Sequence, residues 1–416
     1  MRARSAVAAS AAQTHQREFA RPLRVVRQQV ALWGLDLSGL TVLTEAATGH
    51  FVYTPVIAAL AGAKHVFAVT RDSRYGSAEE VTRLTRAVAT EAGVWDRVTV
   101  LSQKAPDALA QADVVTNLGF VRPIDRETIG HMKPTAVIPL MYEPWELRPQ
   151  DVDLEAARER GIPVLGTNEE HPRFPIMRYV GPLVVKVLMR EGLEVTGCTV
   201  VVHGTGKFGR YAAESLAALG ARVLVVGAKP QGWRLPVGAT WVGASLREEG
   251  ARREMAGADA VVLTRHEAVR QVTQRPPPEG GGPDLSGPPP SGGGPRFISE
   301  QLHGHHADVL SATGELVPEE LARLAPGTVV AQLSGSSYID RSALSAEGVR
   351  YTPLEEPGPG FMGFTLAELG PTPVIALHTA GLKVGEAAVR ARMAGGDVEE
   401  AARRACAQAP GADGGW

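Results

Sequence analysis

The stretch Thr199-Val-Val-Val-His-Gly204-Thr-Gly206-Lys-Phe-Gly209-Arg-Tyr-Ala-Ala-Glu-Ser-Leu-Ala-Ala-Leu-Gly220-Ala-Arg-Val-Leu-Val-Val226 decides the fold. The apolar run ending at His203 reads as a buried strand. The loop that follows opens a helix, and Gly220-Ala-Arg returns the chain to a second strand. A lone GxGxxG is weak, but between a strand and a helix, with a second strand following, it reads as a dinucleotide-binding turn. Gly204 permits the tight turn, Gly206 lets backbone approach a pyrophosphate, and Gly209 lets helix and strand pack closely. The helix N-terminus offers N–H groups and its dipole to the anion. Gly204, Thr205, Gly206, Lys207, Phe208 and Gly209 are therefore the candidate cofactor contacts. The alternative is a glycine-rich turn that binds nothing. The second strand runs out as Val226-Gly227-Ala228-Lys229, with no acid to hold ribose hydroxyls. A cation at Lys229 suits a 2′-phosphate and inclines the reading toward NADP, with NAD left open and a plain solvated lysine the alternative.

Outward from this motif the chain alternates strand and helix. Apolar runs at 41–44, 65–70, 98–101, 114–117, 136–141 and 163–166 read as buried strands, with amphipathic helices such as 78–91 and 152–160 between them. Such alternation implies parallel strands joined by right-handed crossovers. The expected fold class is α/β, with two Rossmann-like domains, parallel sheets flanked by helices and a cleft between them. The expected boundaries are a disordered tail over 1–22, a substrate domain of flavodoxin-like α/β type over 23–174, a linking helix over 175–192, a dinucleotide-binding domain over 193–381, and a C-terminal helix and tail over 382–416. Within the second domain, 275–296 holds 15 Pro or Gly in 22 residues, too little apolar side chain to offset ordering, and is read as a disordered insertion, with a polyproline ligand for a partner as the alternative.

Bulk composition narrows the function classes. The 416 residues are 44% hydrophobic and 21% charged, with a formal net charge of −2, ordinary for a globular protein and without the basic excess of a nucleic-acid binder. The two cysteines, Cys198 and Cys406, make neither a disulfide framework nor a metal ligand set. No apolar run is long enough to span a membrane. The Ala- and Arg-rich first 22 residues could be a transit peptide, but a tail is the simpler reading, and cytoplasm is the expected location.

In open α/β sheets, ligands lie beyond the carboxyl ends of the strands. In the first half these ends carry Glu45 to His50, Arg71-Asp72-Ser-Arg74, Asn117 to Arg122, Met141-Tyr-Glu143-Pro-Trp-Glu146-Leu-Arg148, and Asn168 to His171. Asn117, Arg122, Glu143, Glu146 and Arg148 are the candidate substrate contacts, with Pro144 and Trp145 suggesting a rigid, partly buried turn. Each of these loops could instead be simply solvated. The charge mixture suits a small polar or zwitterionic substrate, such as an amino acid or its imine.

Several segments, in order, resemble the D-2-hydroxyacid dehydrogenase family. They are Asp151-Val-Asp153-Leu-Glu-Ala-Ala-Arg-Glu-Arg-Gly161-Ile-Pro-Val164, Gly166-Thr-Asn168, Ser334-Gly335-Ser-Ser-Tyr-Ile-Asp340-Arg-Ser-Ala-Leu344, Glu355-Glu356-Pro357 and Pro373-Val-Ile-Ala-Leu-His378-Thr-Ala-Gly381. The resemblance implies a homodimer, a substrate bound between two domains, and hydride transfer between nicotinamide and a carbonyl or carbinol carbon. It places His378 as the proton donor or acceptor and Glu356 as its partner. The chemistry is sensible, because an imidazole titrates near neutrality and a carboxylate fixes its tautomer. The chain departs from the family at Ser334, where the family has a substrate-clamping Arg; Arg122 or Arg148 could stand in. A second resemblance is to the cofactor domain of S-adenosylhomocysteine hydrolases, on Val309-Leu-Ser-Ala-Thr-Gly314 and Gly327-Thr-Val-Val-Ala-Gln-Leu-Ser-Gly335. It implies that Thr313 and Gly314 lie near the nicotinamide. The leading expectation is an NAD(P)-dependent oxidoreductase acting on a small polar carbonyl, alcohol or imine. The alternatives are a redox-neutral enzyme with tightly held NAD and a non-catalytic NAD(P)(H) sensor.

Overall fold

A computed structural model describes residues 2–148, 150–173, 175–229, 234–246, 248–264, 327–334, 341–346, 348–355, 357 and 362–407. Glu356, Thr313, Gly314 and the segment 275–296 lie outside the described residues. The chain divides into two compact units, Met1–Met177 with Leu366–Trp416, and Arg178–Thr365. The first unit is thus discontinuous, and the expected boundary at 381 is corrected: the C-terminal segment from Leu366 belongs to the first unit.

The helices are α1 (Arg2–Trp33), α2 (Tyr53–Leu60), α3 (Ala78–Ala92), α4 (Pro106–Gln111), α5 (Arg126–His131), α6 (Leu154–Glu159), α7 (Val180–Arg190), α8 (Lys207–Ala218), α9 (Glu249–Met255), α10 (Arg341–Ala346), α11 (Pro371–Met393) and α12 (Val398–Ala405). The strands are β1 (Thr41–Glu45), β2 (His65–Val69), β3 (Val98–Leu101), β4 (Val114–Val115), β5 (Ile138–Pro139), β6 (Val164–Leu165), β7 (Thr199–His203), β8 (Arg222–Val226), β9 (Ala239–Gly243), β10 (Ala260–Leu263), β11 (Val329–Gln332) and β12 (Arg350–Thr352).

In the first unit the parallel order is β3-β2-β1-β4, β5 pairs with β6, and a parallel bridge from Val114 to Val137 carries the order on to β5 and β6. This is the doubly wound dinucleotide-type order. A flavodoxin-like sheet would place the third strand beside the first, so that expectation is corrected. Strand–helix alternation leaves the pairing order open, because it is set by contacts far apart in sequence. One face of the sheet packs on α1, α2 and α11, burying Val26, Val42, Ile57 and Ile375; the other packs on α4 to α6, burying Leu43, Val115, Ile129 and Ala156.

Two other expectations change. The anticipated tail over 1–22 is part of helix α1, and its Phe19 and Leu23 are buried, at 4% and 2% exposure. The alanine-rich composition that suggested disorder is also that of a good helix former. The segment around His378, which the sequence places ahead of the C-terminal helix expected from 382, lies inside the 23-residue helix α11. Its buried residues include Val374, Ile375, Ala376, His378, Thr379, Ala380 and Leu382, so apolar side chains surround the helix and no 3.6-residue stripe betrays it. Helix α11 ends before Gly395 (φ 68°), and α12 follows.

The second unit has the parallel order β12-β11-β10-β7-β8-β9, again the dinucleotide-type order. Helix α7 belongs to this unit and lies on α8; a Cβ on Gly181 would sit 2.0 Å from Ser215 Oγ. The two units share a detail at the amino ends of their central strands. In the first, Thr41 N–H donates to Asp113 Oδ2 (2.8 Å) and Asp113 N–H to the Thr41 carbonyl (2.8 Å); in the second, Thr199 and Asp259 make the same pair at 2.8 and 2.9 Å.

Candidate functional site

In the second unit, β7 delivers its last residue, His203, to the turn, where Gly204 takes φ 126° and its N–H donates to the Val226 carbonyl at 2.8 Å. Helix α8 starts at Lys207 with Gly206 as N-cap and no side chain capping it. A glycine N-cap has no side chain to offer the first-turn N–H groups, which in most helices are met by Ser, Thr, Asp or Asn. A Cβ on Gly209 would lie 1.9 Å from the Gly204 carbonyl oxygen and 3.0 Å from Thr264 Oγ1, so helix and strand pack at glycine distance. Thr264 secures the turn, donating through its N–H and Oγ1 to the His203 carbonyl at 2.9 and 3.0 Å. Gly227 (φ 138°) sits against Thr205, where a Cβ would meet Thr205 Cγ2 at 3.2 Å. Phe208 is buried at 2% exposure, whereas Lys229 is exposed beyond the end of β8. Trp241 Nε1 donates to the Gly227 carbonyl at 2.9 Å. The fit for a dinucleotide is good: a close-packed glycine turn, an uncapped helix N-terminus, and no carboxylate at 226–229.

In the first unit the charged strand ends are tied together more tightly than their sequence suggested. Arg122 and Arg148 converge on one oxygen of Asp151: Nη1 of Arg122 at 3.1 Å, Nε of Arg148 at 3.0 Å, with the Tyr142 hydroxyl donating to the same oxygen at 2.8 Å. Burial alone would raise the Asp151 pKa; the two guanidinium groups and the Tyr142 hydroxyl outweigh it and hold the carboxyl below its ordinary value. Asp151 pushes the other way on Tyr142, whose pKa is raised through burial first and then the adjacent carboxylate, so the phenol stays protonated. The anticipated rigid turn is a 3-10 helix over Pro144–Glu146, and Gly166 is its close neighbour: a Cβ there would lie 2.2 Å from Pro144 Cγ. Glu143 is buried at 1% exposure and Glu146 is half-buried.

Asn117 is fully buried just beyond β4. Its Oδ1 accepts from Met141 N–H at 2.8 Å, while its Nδ2 meets no acceptor among the described residues. Beside it, at the end of β1, lies a residue that the sequence reading had not singled out. Glu45 is buried at 5% exposure, and its Oε2 accepts from Phe120 N–H at 3.1 Å. Burial raises the Glu45 pKa, against the lowering effects of the Phe120 N–H, Arg122, the Gly119 N–H and Arg71. The sequence signal was a carboxylate ending an otherwise apolar strand.

His378 projects from α11 to Thr54 of α2, with Nδ1 and Oγ1 2.7 Å apart. The Thr54 hydroxyl also lies 3.0 Å from the Phe51 carbonyl; it has one proton to give, and which of the pair donates between Thr54 and His378 follows the tautomer of the ring. Burial lowers the His378 pKa to about 4. Its expected partner Glu356 lies outside the described residues. Among those residues no group of three or more His, Cys, Asp or Glu could hold a metal, and no helix is long and apolar enough to cross a membrane.

No protein-family model matches the chain, and no curated protein matches it. Solved structures do. The A chain of dipicolinate synthase from Bacillus subtilis is 14% identical, with 86% of this chain and 99% of that chain covered and a TM-score of 0.48. D-lactate dehydrogenase from Escherichia coli is 13% identical over 86% and 98%, at 0.46. The NAD-dependent formate dehydrogenase from Staphylococcus aureus, solved in complex with NAD, is 12% identical over 82% and 92%, at 0.39. Members of the D-2-hydroxyacid dehydrogenase family are thus among the structures this chain is similar to, and the likeness is one of fold.

Proposed function

We propose that the protein is an NAD(P)-dependent oxidoreductase acting on a small polar carbonyl, alcohol or imine. The observation that carries this reading is the turn from Gly204 to Gly209, where only glycine allows the 1.9 Å approach to the Gly204 carbonyl and the helix beyond begins uncapped. Gly204, Thr205, Gly206 and Lys207 would hold the pyrophosphate, with Lys229 near the adenosine ribose. When bound, the cofactor supplies or accepts the hydride.

The chain's own part is to place and protonate the substrate. His378, held neutral by burial, is the proposed donor or acceptor of the substrate's proton. The Thr54 hydroxyl lies 2.7 Å from its Nδ1, whereas the resemblance implies a carboxylate partner. Glu356 remains a proposed partner and Thr313 and Gly314 proposed neighbours of the nicotinamide. Asn117 is a proposed substrate donor. Arg122 and Arg148 act through Asp151 to shape the strand-end surface on which Glu143 and Glu146 sit.

The test is titration of the purified protein with NADH and NADPH, followed by fluorescence, with turnover of candidate aldehydes, ketones and imines followed at 340 nm. Saturable binding of at least one cofactor is expected, with Lys229→Glu shifting preference away from NADPH. If neither cofactor binds, the proposal fails. Cofactor that copurifies and is never consumed would point instead to redox-neutral chemistry.

A further inference from the structure

The central strand β1 is where the strand order of the first unit reverses, with β2 on one side and β4 on the other. In open α/β sheets this switch point, beyond the carboxyl ends of the strands, is where ligands sit. Two groups meet there. Leu43 and Val115 are paired in register and both belong to the core on the α4–α6 side. Alternation along each strand therefore brings Glu45 and Asn117 to that same face. Above them, the exposed Gly119 and half-buried Phe120 form the turn whose N–H groups face the Glu45 carboxyl. A Cβ on Gly119 would stand 3.2 Å from Glu45 Oε2, so the carboxyl lies directly against the backbone.

Backbone N–H groups in a turn are an anion receptor. Here the receptor is filled by the protein's own carboxyl group. The cations of the same strand ends are engaged too: Arg122 and Arg148 share Asp151, and Arg71 lies over the Phe120 ring at 5.4 Å while balancing Glu45. Among the described residues, the buried polar atoms without a partner at these strand ends are the Asn117 Nδ2, a donor, and the Thr70 Oγ1. Leaving the Asn117 donor without an acceptor is unfavourable, and a ligand oxygen would relieve it.

We propose that Glu45 is a specificity-determining residue, which bars carboxylate-bearing molecules from the switch point of the first unit and leaves it to an uncharged carbonyl or hydroxyl compound received by Asn117. The inference rests on the oxidoreductase reading for its meaning in catalysis, but its geometry belongs to the first unit alone. Specificity of this kind needs an element that works against the wrong ligand as well as an attractive one, and Glu45 supplies it by occupying the backbone N–H groups that a substrate carboxylate would need.

The test compares the full-length wild type with Glu45→Ala, which empties the turn, and Glu45→Gln, which keeps an acceptor but drops the charge. The probe is oxamate, a small carboxylate with a carbonyl beside it, titrated calorimetrically with NADH binding and thermal unfolding measured on each protein. The wild type should bind oxamate no more tightly than about 10 mM, E45A at least about tenfold more tightly, and E45Q in between. If folded E45A and E45Q gain nothing over wild type, the proposal is overturned. Submillimolar oxamate binding by the wild type overturns it too, whether or not the variants fold. NADH binding reports separately: its loss in the wild type would sink the oxidoreductase reading and leave the oxamate comparison standing.

Discussion

At the scale of single residues, three side-chain positions carry distinct expectations. Gly209→Ala drives a Cβ into the Gly204 carbonyl at 1.9 Å, backbone against backbone, where no side chain can swing aside. We expect NADH affinity to fall at least about tenfold and stability by about 2–4 kcal/mol, read by fluorescence titration and thermal unfolding. His378 is buried as the neutral form, with its pKa lowered from 6.5 to about 4. Between these values the unfolded chain binds the proton that the folded chain refuses. The contribution is therefore whole above pH 6.5 and is lost as pH falls from 6.5 toward 4. It amounts to about 3 kcal/mol across that window. Urea unfolding at pH 7, 5.5 and 4.5 should show this slope in the wild type and a flatter one in His378→Asn; equal slopes would contradict a buried neutral imidazole. Asp151→Asn leaves Arg122 and Arg148 facing each other, with side-chain exposures of 25% and 15%. The expected loss is about 2–3 kcal/mol, reduced from the fully buried case by partial solvation. A double-mutant cycle with Arg148→Met would show the coupling.

At the scale of elements, the glycine turn and the helix after it were legible in the sequence because their signals are local. A turn needs glycine where φ is positive, and an amphipathic helix repeats its apolar residues within a few positions. The same locality explains α3, whose Ser77 cap accepts from Glu80 N–H and whose end is Gly93 at φ 78°. The first half of helix α11, ahead of the expected C-terminal helix from 382, was not legible, since burial on most of its circumference removes the polar stripe. Packing of α7 on α8 was equally hidden. Gly181 leaves room for Ser215 Oγ and the Tyr211 carbonyl, which a Cβ would meet at 2.0 and 2.5 Å. Gly181→Val should separate the two helices and cost about 2–4 kcal/mol, with little change expected from Gly181→Ala combined with Ser215→Gly beyond the loss from Gly181→Ala alone. Thermal unfolding of the three variants measures it.

At the scale of the whole molecule, the first unit is closed by the C-terminal segment. Ile375, Leu382, Val384, Val389 and Ala402 lie in the same buried cluster as Val26, Val42 and Ile57. A large apolar side chain moved from core to water forfeits about 1.5–3 kcal/mol, so losing α11 and α12 exceeds the usual stability of a domain. A chain ending at Thr365 should therefore lose cooperative unfolding of the first unit and bind a hydrophobic dye, as judged by circular dichroism and fluorescence. Read alone, the sequence determined the α/β class, the strand positions of the first unit, and the glycine turn with the two strands beside it, because each is written in neighbouring residues through backbone sterics and side-chain period. Only the tertiary structure decided the pairing order of the first sheet, the return of residues 366–407 to it, the sharing of Asp151 by two arginines, and the partners of Glu45 and His378. Those partners lie 75 and 324 residues away along the chain, and what joins them is the free energy of packing and of satisfying buried polar groups, which no local pattern records.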